Sequence, residues 1–70
     1  MTLTARRQQI LQLIADGLND RQISVRLHVS ADTVRKTNHA MYAVLGATGR
    51  AHAVAIAYRA GLLGDRAQEG

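Results

Sequence analysis

The stretch Asn19-Asp20-Arg21-Gln22-Ile23-Ser24-Val25-Arg26-Leu27-His28-Val29-Ser30-Ala31-Asp32-Thr33-Val34-Arg35-Lys36-Thr37-Asn38-His39 decides the fold. Asn19 with Gln22 three positions on is a capping pattern that opens a short helix over about residues 20–27. Ile23 and Leu27 lie four apart and share its inward face. His28 and Val29 break the pattern, and Ser30 is a strong N-cap residue. Asp32 then stands in a new first turn, where the positive end of the helix dipole favours a carboxylate. This longer helix runs to about Leu45, with Val34, Met41 and Leu45 on one stripe and Gly46 closing it. A short helix, a three-residue break and a longer helix with polar, basic opening turns have helix-turn-helix spacing.

The flanks supply two more helices. Thr4 can cap a helix carrying Ile10, Leu11 and Ile14 on one side, with Leu13 widening the stripe and Gly17 ending it. Thr48 can cap a fourth helix through Ala53, Val54, Ala57 and Ala60 to Gly61. The expected organisation is one all-α domain over residues 1–64, followed by a frayed polar tail over residues 65–70. Composition agrees with it. Of the 70 residues 47% are apolar, yet Tyr42 and Tyr58 are the only aromatics, which favours packed helices over a sandwich of sheets. The chain has no Cys, which suits the cytoplasm, and its apolar runs, such as Met41 to Leu45, are far below the ~20 residues a membrane span needs.

Charge gives the first indication of a partner. The formal net charge is +4. Asp65 and Glu69 both lie in the tail, so the excess of base over the rest of the chain is larger still. Arg outnumbers Lys throughout, and a guanidinium suits bidentate contacts to phosphate or base edges. The helix after the turn offers Arg35, Lys36, Asn38, His39 and Tyr42, all hydrogen-bond donors, on the face expected to be exposed. Arg and Lys read guanine O6 and N7, and Asn can read adenine, so Arg35, Lys36, His39 and Asn38 are the candidate base contacts. Ser30 and Thr33, beside free backbone N–H groups, can bond phosphate oxygens.

Leu3-Thr4-Ala5-Arg6, Ile10-Leu11, Ala15-Asp16-Gly17-Leu18-Asn19, Ile23, Leu27-His28-Val29-Ser30 and Thr33-Val34-Arg35 form one register. It continues through Leu45-Gly46-Ala47, Arg50, Ala53-Val54-Ala55 and Gly61-Leu62-Leu63. Together these resemble the LuxR-type (GerE-like) helix-turn-helix domain over about residues 3–63, without gaps. Leu45-Gly46 followed by Arg50 and Ala53-Val54 sets it apart from region 4 of sigma factors. The resemblance implies a four-helix domain of bacterial or phage transcription regulation, with the third helix in the major groove of double-stranded DNA. It also implies phosphate contacts at Arg21, Ser30, Thr33 and Arg50, and a two-fold contact through the fourth helix. On that helix Ala51, Ala55, Ile56 and Tyr58 are the candidate homodimer residues. Core positions carried over are Leu11, Ile14, Ile23, Leu27, Val34, Met41, Leu45 and Val54. The chain departs from the family's usual Glu at Arg7 and Gln9, its His at Thr37 and its Lys at Val44.

Other chemistry finds little support. Asp16, Asp20 and Asp32 lie near helix ends, where capping accounts for them, and no acid–base or nucleophile constellation accompanies them. His28, His39 and His52 share no metal-ligand spacing, so neither enzyme activity, metal nor cofactor is expected. A second reading keeps the same fold as a protein-interaction module on RNA polymerase or another regulator, using Val44 and the alanines of the fourth helix.

Overall fold

The computed structural model describes residues 3–63, and within them the chain forms four helices and no strand. These are α1 (Ala5–Ala15), α2 (Asp20–Leu27), α3 (Ala31–Leu45) and α4 (Arg50–Arg59). The expected tail over residues 65–70 lies outside the described residues.

Local chemistry sets most of the boundaries. Thr4 Oγ1 accepts the Arg7 N–H at 3.1 Å and starts α1. The capping box of α2 is complete: Asn19 Oδ1 accepts the Gln22 N–H at 2.8 Å, and Gln22 Oε1 accepts the Asn19 N–H at 2.9 Å. Ser30 Oγ accepts the Thr33 N–H at 3.0 Å to start α3. Between α2 and α3 the chain reverses through His28, whose φ of 59° makes it the one non-glycine in the left-handed region among the described residues. That conformation turns the chain within two residues, and it fixes how α3 leaves α2.

The start of α4 differs from expectation. Its N-cap is Gly49, one residue later than the expected Thr48, and no side chain caps it. Thr48 lies outside the helix, where its N–H donates to His52 Nδ1 at 3.1 Å. An imidazole in the first turn of α4 therefore ties down the loop that a hydroxyl cap does not.

The core forms where all four helices meet. Leu3, Ile10, Leu11 and Ile14 meet Ile23 of α2, Val34, Met41 and Leu45 of α3, and Ala53 and Ala57 of α4. Leu11, Ile23, Met41 and Val34 are the largest side chains wholly shielded from water. α3 touches each of the other three helices and is the central element. Two expected core residues are only half-buried. Leu27 stands at the last position of α2, beside the turn, and Val54 lies one step round α4 from the Ala53–Ala57 stripe. Both pack against the outside of the core. Gln8 Nε2 also reaches across from α1 to the Leu62 carbonyl at 3.1 Å, closing the end of the bundle.

Met41 lies at the centre of this packing, and truncating it leaves a cavity on every side. Met41→Ala is expected to cost ~2–5 kcal/mol, against roughly 5 kcal/mol for a whole domain of this size. Urea or thermal unfolding followed by circular dichroism checks this. The half-buried Leu27 should lose less on the same truncation.

Candidate nucleic-acid interface

The outward side of α3 is built by the inward one. Val34, Met41 and Leu45 face the core, so residues half a turn away have no neighbouring helix to meet. Asp32, Arg35, Lys36 and His39 follow the i, i+3, i+4, i+7 pattern and share that outer face. Arg35 and Lys36 are well exposed, with 62% and 77% of their side-chain surface open. Both pair with Asp32: an Arg35 guanidinium nitrogen binds one carboxylate oxygen, and Lys36 Nζ lies 3.1 Å from the other. The His39 ring is tilted 53° to that of Tyr42, with centroids 6.4 Å apart.

Asn38 is not on this face, which corrects its reading as a base contact. The residue is only 3% exposed, because it follows Val34 by four residues and falls on the inward stripe. There Asn38 Nδ2 donates to Asp20 Oδ1 at 2.8 Å, while its own Oδ1 is buried with no partner. The same Asp20 oxygen lies 3.6 Å from Arg50 at the start of α4. Asp20 is thus more than a helix-end residue: one carboxylate links α2 to α3 and α4. Tyr42, expected among the exposed donors, is half-buried beside this cluster. Burial raises its phenol pKa above 10; the Arg50 charge opposes that shift and Asp20 adds to it. The hydroxyl stays neutral at physiological pH.

The other candidates fall into two groups. Ser30 and Thr33 are exposed at the start of α3, and the Ser30 hydroxyl donates to Thr33 Oγ1 at 2.8 Å. That arrangement leaves the Thr33 hydroxyl proton free to point outward. Arg21 is exposed on α2, whereas Arg50 is half-buried against Asp20. On α4, Ala51 and Tyr58 are exposed, and Ala55 and Ile56 are half-buried, Ile56 packing on the core. The largest apolar exposures are Val25, Tyr58 and Val44. Val25 carried no functional expectation, although it lies two residues from Ile23 and so faces away from the core. Among the described residues no three His, Cys, Asp or Glu side chains are grouped to hold a metal, and no helix is long and apolar enough to cross a membrane.

A short bracing helix, a turn through a left-handed residue and a longer helix with an exposed basic opening define a helix-turn-helix domain. The family model "Bacterial regulatory proteins, luxR family" (GerE) matches residues 1–57, and the chain belongs to this family. No curated protein matches the chain. Two solved structures do. One is "Structure of Transcription factor, GerE", at 34% identity and a TM-score of 0.84, covering 89% of this chain and 92% of that one. The other is "Crystal Structure of Response Regulator ChrA in Heme-Sensing Two Component System", at 34% identity and a TM-score of 0.85. That match covers 89% of this chain but only 31% of the response regulator, so the chain spans about a third of that protein. The family is one of regulators, not of enzymes.

The Asp20 cluster makes a prediction of its own. Asp20→Ala strips the partner from a buried amide and should cost ~1–3 kcal/mol. Asn38→Leu removes the amide and its orphaned carbonyl together at similar volume, and should cost less or stabilise. Chemical unfolding of the two variants beside the parent checks the order.

Proposed function

We propose that the chain binds double-stranded DNA sequence-specifically in the bacterial cytoplasm and regulates transcription, with the first two turns of α3 in the major groove. The observation that carries this reading is the exposed basic opening of α3, held away from the core by the α2 brace. Arg35 and Lys36 would meet base edges, with His39 one turn further along the same face. Arg21, Ser30 and Thr33 would meet phosphates and set the register of the helix on the duplex. Arg50 would join them by leaving Asp20, a bond only partly shielded from water. Membership of a family of bacterial regulators and the likeness to the GerE transcription factor support the same reading.

One such helix contacts only a few base pairs, so tight specific binding calls for two copies. The surface left for the second copy is α4, where Tyr58 is half exposed and Ala51 and Ala55 permit close approach. Half-sites would then lie about 34–36 Å apart, one turn of DNA. The exposed Val44 and Tyr58 would equally serve a contact with RNA polymerase or another regulator.

Two measurements test these assignments. Arg35→Ala should weaken specific binding by ~1–3 kcal/mol and relax preference at one base pair, read from Kd values and from selection out of random duplexes. Unchanged affinity and preference would remove α3 from the groove. Ala55→Glu or Tyr58→Ala should convert two chains per duplex into one, as seen by sedimentation, while the fold persists. One parent chain per duplex at saturation would favour the protein-docking reading instead.

A further inference from the structure

The face assigned to DNA carries a negative charge at its N-terminal end, paired with both of its cations. Asp32 lies between Arg35 on one side and Lys36 on the other, in line with His39, and is itself half exposed. A carboxylate is an unfavourable neighbour for a phosphate backbone. Removing it would strengthen the part of the binding that has no sequence preference, because the phosphates govern that part. Its position near the N-terminus of α3 explains part of its presence, since it faces the positive end of the helix dipole. Helix stability does not require that both cations of the reading face be bonded to it.

Resting on the DNA reading above, we propose that Asp32 is the specificity-determining residue of this face. It does so in two ways. First, it pairs with both the Arg35 guanidinium and the Lys36 ammonium, drawing the two cations together over α3 while each keeps further N–H groups for a base edge. A long cation so paired loses less freedom on meeting guanine, whereas an unpaired one swings to the nearest phosphate. Second, it lowers affinity for every duplex that offers the face only phosphates, because approach then brings a carboxylate toward anions. The penalty is offset where the groove presents base-edge acceptors to Arg35 and Lys36 and, beside them, a cytosine amino group that Asp32 itself can accept from. Exposed ion pairs are weak, so these pairs bias where the two cations rest without locking them, and a carboxylate oxygen can turn to the cytosine amino group as the helix enters the groove.

The test compares the parent with Asp32→Ala and Asp32→Asn on two probes. One is the duplex the parent selects from a random pool, and the other is an unselected duplex of the same length. Asp32→Asn keeps the shape of the side chain and removes its charge, and circular dichroism confirms that each variant is folded. Both variants should bind the unselected duplex about three- to tenfold more tightly, with a steeper salt dependence as cations are released to phosphate. The ratio of selected to unselected affinity should fall about tenfold. A parent that selects a defined sequence while both variants keep its ratio and salt dependence overturns the role of Asp32 alone. A parent that binds no duplex overturns the DNA reading and this inference with it.

Discussion

α3 must bury Val34, Met41 and Leu45 against three helices at once, and the rest of the structure depends on that constraint. With so few large side chains in the chain, the core cannot be completed without them. Once the stripe is buried, the opposite side of α3 is left in water, and Asp32, Arg35, Lys36 and His39 are the residues that fall there. The proposed reading face is therefore a by-product of core packing, and its rigidity is that of the core. Interiors packed to crystal density do not let a helix rotate freely, so the angular position of Arg35 is set by Met41 and Val34.

The Asp20 carboxylate adds orientation to this packing. Apolar contacts are non-directional and could tolerate small slides of α2 and α4 along α3. A hydrogen bond from the buried Asn38 amide and an ion pair to Arg50 join α3 and α4 to the same carboxylate oxygen of α2. Asn38 is shielded and its bond cannot be traded for one to water. Arg50 lies nearer the surface and its bond can. The cluster thus has a fixed arm toward the reading helix and a releasable arm toward α4, at the side where a phosphate contact is proposed.

Much of this was legible in the sequence because caps and glycines are local signals. Asn19 with Gln22, Ser30 and Gly46 act within one turn of their own positions, and α2 and α3 begin and end where those residues predict. Asn38 and the start of α4 depart from the sequence expectation for different reasons. Residue type groups Asn38 with its polar neighbours, yet its spacing from Val34 puts it on the buried stripe. Periodicity outranks polarity when a partner is available, and the partner was Asp20, eighteen positions away and invisible to local reading. Thr48 had the chemistry of a cap but stood one residue early, and nothing local tells Gly49 from Thr48 as the last non-helical residue. The Asp32 pairs were implicit in their spacing of three and four along a helix, but their meaning depends on that face being exposed.

The outer face of α3 is the surface proposed to meet DNA. The most direct measurement is a backbone amide NMR titration of the intact chain with the duplex it selects from a random pool. The largest shifts should cluster from Ser30 to His39, with smaller ones at Arg21 and Arg50, while the amides of Ile10, Leu11 and Ile14 stay in place. Shifts centred on α4 and Val44, with the opening turns of α3 unmoved, would contradict it.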